Sequence, residues 1–548
     1  MLLRNVVFVA IVLVGTLYLV LEVLPGSRSF PKAVKSRNLQ DLRDVASSVD
    51  REFESKWIEK KLKSAGSSAD LIVARRLALG LTGTVPSLEE IRKFEAVDSA
   101  GRIDWWTRYL LNDRRYSDYV AERLARVFVG TENGPFVVFR RRRFVMWLSE
   151  QLAQNRPYDE LVKDLIEQSG LWTDTPSVNF YTVTIDSNNG QPDPIRLAAR
   201  TTRAFLGLRI DCLQCHDDAL GTMELGTELN PRSGTQEDFH QLAAAFVSVR
   251  QTAAGLQDTT RSQNYELTFA QEDSPRVVPF KVPFQPELLP SQGTNRKKLA
   301  AWLTHTDNQV FARAAVNRVW AMMTGKPLHD PVDDIPLYGE RPPGMDLLAE
   351  DFVENGFDLQ RLIRIIAQTE VYRKSSNADF LINDQHQSSW AVFPQTPLRS
   401  EQVVGAVVQA TSLTTINDDS NVFQKLATFN DINDFIVRYG DAGESEFRQR
   451  HGTIQQKNIM MNGKVVAERT KANGLFINAA AQISQFSETN EKLIESIFLV
   501  VLTRRPTEIE LGYLNGLLEK TKNQRQKTKV TEDLYWSLFN KLEFQRNH

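Results

Sequence analysis

Apolar residues recur at helical spacing along most of this chain. Phe53, Trp57, Ile58 and Leu62 share a face of a first segment. A second, Leu71 to Leu81, stops at Thr82-Gly83. Pro86-Ser87-Leu88-Glu89-Glu90 opens the next helix, with Ser87 as N-cap and Glu90 closing a capping box. Trp105, Trp106, Tyr109 and Leu110 continue the pattern, then Tyr119, Leu124 and Phe128. Helices are also expected from Phe136 to Leu152, and from Pro157-Tyr158-Asp159 through Leu165. Leu197, Thr201, Phe205 and Leu208 share one face of another, and Thr235-Gln236-Glu237-Asp238 opens a helix through Phe246.

The period changes after residue 250. Tyr265 to Phe269 and Arg276 to Phe280 alternate like strands, punctuated by Pro275, Pro279, Pro283, Pro286 and Pro290. Helical spacing resumes at Arg296, with Leu299, Trp302 and Leu303, then Phe311 to Met323, Met345 to Asn355 and Leu359 to Thr369. Residues 376–392 are polar, and 415–475 read as mostly loop. Asn490 to Leu502 and Ile509 to Leu518 are the last helices, the second behind a capping box from Thr507 to Glu510. A pattern of Leu-Thr followed by Pro-Ser/Thr-x-x-Glu thus occurs at both 81–90 and 502–510, which we take as shared capping chemistry.

The expected fold is mainly α. It is a multi-helix, two-domain architecture with a small β excursion between the domains and an N-terminal transmembrane helix. The boundaries are 1–25 for a transmembrane signal anchor, 26–45 for a linker, 46–250 for an N-terminal helical domain, 251–293 for the β-containing segment and linker, and 294–548 for a C-terminal helical domain.

The anchor rests on the uncharged run from Val6 to Leu21 behind Arg4. It exceeds the ~7–15 residues of a cleaved signal core and approaches the ~17 needed to span a bilayer. No small-residue cleavage site follows it. Arg4 would stay cytoplasmic, placing the bulk of the chain outside the membrane, in the periplasm of a bacterium. A net charge of −2 gives no overall field that attracts nucleic acid.

The chemistry concentrates in one place. Only two cysteines occur in 548 residues, and they stand together as Cys212-Leu213-Gln214-Cys215-His216. C-x-x-C-H is the attachment signature of haem c: two thiols bond the vinyl groups, and the imidazole is the proximal iron ligand. Three other readings of the pair stay open. A structural zinc site wants four ligands, and no second cysteine pair exists. A thioredoxin-like pair belongs in a βαβ unit, whereas a helix precedes this box. A plain Cys212–Cys215 disulfide would constrain little. For the opposite face of the iron, Met223 and His240 are the nearest candidates, although a loop methionine and a helix-lining histidine are the ordinary roles of such residues. His329 beside Asp330, Asp333 and Asp334 is a weaker cation candidate. Asn317, Arg318 and Trp320 read as packing and hydrogen-bonding anchors. Arg140 to Arg143 read as solvated or carboxylate-paired. No G-x-S-x-G, H-E-x-x-H or P-loop motif is present.

Several of these segments coincide with a family pattern. They are Arg75-Arg76-Leu77 through Leu81-Thr82-Gly83 to Pro86-Ser87 and Glu89-Glu90; Arg203-x-Phe205-Leu206-Gly207-Leu208 leading into the box and Asp217; Thr235 to Phe239 with Leu242-Ala243-Ala244; Phe311-Ala312-Arg313 and Val316 to Trp320; and Tyr372-Arg373-x-Ser375-Ser376. Together they resemble the large cytochrome-c-like proteins of planctomycete bacteria that pair domains of unknown function 1549 and 1553. The resemblance covers roughly 45–520. It implies an exported, mostly helical protein with the haem box in its N-terminal domain, and no settled activity. Three places depart from the family. Asp218 stands where relatives carry a second histidine, Gly80 where they carry an aspartate, and the stretch Leu124 to Phe128 lacks their Trp and Asp.

The expected function is a membrane-anchored extracytoplasmic c-type haem protein, handling electrons with a redox partner protein. The alternatives are a haem-free scaffold or interaction protein that uses the pair as a disulfide clasp, for example in extracytoplasmic polysaccharide processing, and a hydrolase or oxidoreductase with a site between the two helical domains.

Overall fold

The computed structural model describes residues 39–131, 139–185, 189–259, 263–269, 272–417, 434–440, 447, 452–472 and 478–548. The expected anchor at 1–25 lies outside them. Among the described residues no helix is long and apolar enough to cross a membrane.

Residues from Leu39 onward form one compact, mostly helical unit. Its first half contains α1 (Leu39–Glu59), α2 (Asp70–Thr82), α3 (Leu88–Glu95), α4 (Ser99–Leu111), α5 (Arg114–Val129), α6 (Arg141–Ala153), α7 (Tyr158–Glu167), α8 (Pro194–Thr201) and α9 (Gln236–Ala243). After the middle segment come α10 (Asn295–Leu303), α11 (Gln309–Thr324), α12 (Met345–Glu354), α13 (Leu359–Gln368) and α14 (Ser400–Ala410). The last are α15 (Ile454–Asn462), α16 (Lys464–Thr470), α17 (Ala479–Phe486), α18 (Asn490–Leu502), α19 (Glu508–Glu519) and α20 (Gln524–Phe539).

Among the described residues the strands form antiparallel two-stranded ribbons: β1 (Glu224–Thr227) with β2 (Asn230–Ser233), β3 (Val249–Thr252) with β4 (Gly255–Asp258), β5 (Glu266–Leu267) with β6 (Arg276–Val277), and β7 (Thr396–Pro397) with β8 (Arg546–Asn547). Both capping boxes read from the sequence are formed, at Ser87–Glu90 and Thr507–Glu510, and the helix opened at Thr235 carries a third, closed by Asp238.

Several boundaries differ from the sequence reading. The linker drawn over 26–45 is helical from Leu39, because Leu42, Ala46 and Val49 already face the core. The segment after the box, 221–234, holds the β1–β2 hairpin. Gly226 takes φ 93° in it, and an ideal Cβ there would also lie 2.9 Å from Asn230 O. Inside 415–475 stand α15 and α16. Their pattern was hidden because α15 exposes Ile454, while Met460, Val465 and Val466 are buried.

The apolar interior divides in two, but not at residue 290. The larger cluster takes residues from α1 through α13, on both sides of the β segment. Phe284 meets Trp302 with ring centroids 4.9 Å apart, and Tyr158 stacks on Phe311 at 5.4 Å. Residue 290 therefore marks a change in secondary structure within a continuous core. The second cluster joins Leu79, Val85, Leu88 and Ile91 to apolar residues between Leu398 and Phe544.

α2 belongs to both clusters, and its sequence explains how. An ideal Cβ at Gly80 would lie 2.9 Å from the backbone of Met323, so α2 and α11 touch backbone to backbone there. Any side chain at this position, including the aspartate of the family pattern, would push the two helices apart. Arg75 is fully buried and donates to the carbonyls of Val501 and Phe544, both at 3.0 Å. Arg76 donates to Tyr372 O at 2.8 Å and His548 O at 2.7 Å, and its guanidinium lies 3.6 Å from the Phe393 ring centroid. The Arg-Arg pair of the motif thus ties α2 to the end of the chain.

Candidate functional site

The cysteine box sits on a short, tightly wound turn whose period sorts its residues. α8 is opened by Asp193, whose Oδ1 accepts from the amides of Ile195 and Arg196, and by Pro194 in the first turn. It runs into a π-helical turn, Thr202–Leu206, which Gly207 ends in the left-handed conformation at φ 62°. A side chain at Gly207 would press on Ile335, 3.0 Å from an ideal Cβ. A 3₁₀ turn, Ile210–Gln214, follows. With three residues per turn, residues three apart eclipse each other. Ile210 and Leu213 therefore both point inward, fully buried, while Cys212 and Cys215 share the exposed edge. The two thiols are not joined to each other. His216 follows them at the surface.

Hydrogen bonds fix the turn from below. His216 Nδ1 lies 2.8 Å from the carbonyl of Asp217. A carbonyl can only accept, so Nδ1 carries the proton and the ring's lone pair is on Nε2. Asp217 Oδ1 accepts from the amide of Gln236 at 2.7 Å, at the start of α9. The carbonyl of Gln214 accepts twice, from Gln236 Nε2 and from His240 Nε2, each at 3.0 Å. His240 Nδ1 then accepts from the Tyr265 hydroxyl at 2.7 Å. Burial lowers the His240 pKa, with the Gln214 carbonyl opposing, so the ring is neutral at pH 7.

Charge pairs hold the two ends of the turn. Arg203 grips Asp211 through Nε at 3.0 Å and Nη2 at 2.5 Å, and Arg209 reaches across to Asp333 at 2.7 Å. The Cys212 thiol is pushed up, first by burial and then by the charge of Asp211. It is consequently a thiol at neutral pH and a poor nucleophile.

The candidate residues now have places. Met223 is partly buried against the main core, and its amide donates to Asp218 Oδ2 at 2.7 Å. His240 lies beneath the box with both ring nitrogens engaged by protein groups. Asp218, in the place of the family's second histidine, accepts from the amides of Met223 and Leu220 and from the Thr222 hydroxyl. Those bonds, the Met223 amide foremost, hold its carboxyl below the usual range. This residue spends itself on closing the 218–223 turn.

Asn317 pins the 329–332 loop, donating to the carbonyls of His329 and Val332 and accepting from the His329 amide. Arg318 donates to the carbonyl of Arg203, and Trp320 packs between Phe53 and Trp390. These are the structural roles expected for them. Asp333 is taken by Arg209, and among the described residues no group of three or more His, Cys, Asp or Glu is arranged to hold a metal ion. In the arginine run, Arg141 pairs with Glu122 at 2.8 and 2.9 Å, and Arg140 lies over the Trp172 ring. Sequence reasoning missed Tyr265, Arg203 and Arg209 as supports of the box. Arg203, Arg209 and Asp211, the charged residues just ahead of the box, were the available signal.

Two family models match the chain. Residues 48–251 match PSCyt2, a protein of unknown function (DUF1549), and residues 295–434 match PSD1, a protein of unknown function (DUF1553). The pairing expected from the motifs is therefore present, in that order. No curated protein and no solved structure matches the chain.

Proposed function

We propose that this protein is a membrane-anchored, extracytoplasmic c-type haem protein that passes electrons to a redox partner protein. One observation carries the reading: Cys212 and Cys215 share the outward edge of a 3₁₀ turn, and His216 beside them keeps its Nε2 lone pair outward while Nδ1–H is held by a backbone carbonyl. Metal-binding histidines are commonly oriented in this way, by a carbonyl on the second nitrogen. Cys212 and Cys215 would form the two thioethers, and His216 would ligate through Nε2. Haem bound there supplies reversible one-electron chemistry at its iron.

The surrounding residues support that role. The inward pair Ile210 and Leu213 makes the turn rigid. The Gln214 carbonyl, held by His240 and Gln236, fixes the path of the chain between the two cysteines. Of the two distal candidates, Met223 has a ligating atom that no hydrogen bond consumes, whereas His240 would have to surrender one. Leu220, four residues beyond His216, is 87 % exposed and gives a partner an apolar foothold next to the box. The uncharged run of Val6 to Leu21 and the likeness to planctomycete cytochrome-c-like proteins support the location and the class.

The test is a haemochrome spectrum of the full chain from a host competent for cytochrome c maturation, beside a Cys212→Ser/Cys215→Ser variant. Covalent haem in the parent, lost completely in the variant, is the expected result. A colourless parent from a host that matures a control cytochrome would overturn the proposal and favour the disulfide-clasp scaffold.

A further inference from the structure

The β1–β2 ribbon lies against the cysteine box on its inner side and faces solvent on its outer side. Inward, Leu225 is fully buried, and an ideal Cβ at Gly234 would lie 2.7 Å from Leu213 of the box turn and 3.2 Å from Leu225. The Gly234 amide donates to Met223 O at 2.9 Å, and the Tyr338 hydroxyl donates to Gly226 O at 2.7 Å, so the ribbon is held at both ends of β1. Outward, every residue of β2 is exposed, and Leu229 at the tip is 99 % exposed. Leu220, between the box and the ribbon, also stands in solvent. Two exposed leucines are ordinary on their own. The charge around them is not.

Between Arg203 and His240 stand three arginines and seven carboxylates, in a chain whose net charge is only −2. All three arginines are already paired: Arg203 with Asp211, Arg209 with Asp333 and Arg232 with Asp238. Glu237 is held by Arg276, and Lys281 lies on the same carboxylate's side. Asp217, Asp218, Glu224 and Glu228 are left without an ionic partner among the described residues. Asp217 and Asp218 accept bonds from uncharged groups, which leave their negative charge in place. The field of the ribbon carboxylates is felt at Tyr338. Burial raises its pKa first, then Glu228, Glu287 and Glu224 raise it further, and no cation opposes them there.

We infer that the outer face of this ribbon, with Leu220, docks a redox partner protein whose own docking surface is basic. The inference rests on the electron-transfer proposal and adds the partner's charge to it. Unpaired carboxylates beside the box steer a cationic protein to it and disfavour an anionic one. Leu220 and Leu229 supply a small apolar contact inside that field. A small contact ringed by one sign of charge suits the brief complexes of electron carriers, which bury less than ~1,200 Å² and release quickly.

The test is calorimetric titration of the full chain in detergent with two small redox proteins of opposite charge, a basic cytochrome c and an acidic flavodoxin. The ionic strength is about 20 mM, where exposed charges are little screened. The expected result is saturable binding of the basic protein alone, weakening as salt is added. Glu224→Gln/Glu228→Gln should weaken it at least about fivefold, and Leu220→Ser/Leu229→Ser about threefold. Glu491→Gln/Glu508→Gln removes the same charge from exposed positions elsewhere and should leave binding unchanged. All of these side chains are exposed, so thermal melting should match the parent. No saturable binding of the basic protein would overturn the inference. So would equal binding of the acidic protein, or equal losses in the two glutamate pairs. Neither titration requires haem in this chain. A chain that matures no haem yet binds through Glu224 and Glu228 loses the electron-transfer proposal and keeps the basic-partner face. A haem-loaded chain that does not bind keeps the first and loses the second.

Discussion

The corner between α2 and α3 and the corner between α18 and α19 are written in the same local code and are used in opposite ways. Each has a Leu-Thr pair at a helix end, a left-handed residue that follows the threonine in the first and is the threonine in the second, and a capping box that opens the next helix. In the first corner the left-handed residue is Gly83 at φ 70°; in the second it is Thr503 at φ 56°. The first corner is enclosed. Gly405 of α14 has no side chain to keep it off the Gly83 carbonyl, 2.6 Å from an ideal Cβ, and Glu90 is 1 % exposed. The second faces outward along α19, where only Leu518 is fully buried and Ile509 is 85 % exposed. Local hydrogen-bonding chemistry fixes where a helix stops and the next begins. What packs around the corner decides how much each residue matters.

The largest expected effect is at the enclosed corner. Gly83→Ala should destabilise the protein by about 4 kcal/mol. The left-handed conformation costs an alanine ~1–2 kcal/mol, and overpacking costs ~1–3 more. The overpacking is severe here, because the new Cβ would lie 2.5 Å from the Tyr119 ring. Urea denaturation monitored by far-UV circular dichroism checks it. A loss below 1 kcal/mol would mean that the ring moves aside freely and that the enclosure is not a constraint.

The two capping-box glutamates sharpen the contrast, because glutamine preserves the box and removes only the charge. Glu90→Gln should cost about 2 kcal/mol, since it takes a carboxylate from the nearly buried Arg115. The cost stays below that of a fully orphaned ion because Asp113 still pairs with Arg115 at 2.9 Å. Glu510→Gln, in the partly buried network of Arg504, Lys541 and Glu543, should cost about 1 kcal/mol. The Glu510 carboxyl is held below its ordinary range, first by Arg504 and also by Lys541. A carboxyl depressed in the folded state contributes stability above its unfolded pKa, ~4.3, and loses it as pH falls below that value. The difference in melting temperature between parent and Glu510→Gln should therefore be full at pH 7 and shrink as the solution is made more acid than about pH 4. A difference that grew in acid would contradict the pairing.

These comparisons show how much could be read from the sequence. Both capping boxes, the helix start at Thr235 and the cysteine box were legible because each is a contiguous run governed by short-range chemistry. The helices α15 and α16 were not, since Ile454 faces solvent and Val465 faces the core, which breaks the expected periodicity. The supports of the box were half legible. His240 was noticed, but its partner Tyr265 is 25 residues away, and only the fold shows that both of its nitrogens are engaged. The outer face of the β1–β2 ribbon was invisible, since only the fold shows Leu225 turned inward and Leu229 turned outward. The significance of Gly80 was hidden in the same way, because it depends on the Met323 backbone lying against it.

The smallest expected effect has the opposite sign, at the outward corner. Thr503 is a β-branched residue held in the left-handed region, and its Oγ1 is buried without a hydrogen-bond partner. Replacing it by glycine removes a conformational cost of ~1–2 kcal/mol and an unsatisfied hydroxyl. Glycine gives back ~1 kcal/mol through the greater freedom of the unfolded chain, and the lost side chain forfeits some packing, because Thr503 is fully buried. The net result should be a gain of about 0.5 kcal/mol, read as a small rise in melting temperature. The sign is informative because the same substitution makes the second corner identical to the first at its pivotal residue. If Thr503→Gly destabilises the protein instead, the buried methyl outweighs the backbone strain. The outward corner would then be held by tertiary packing as firmly as the enclosed one, and the contrast between them would rest on the glutamates alone.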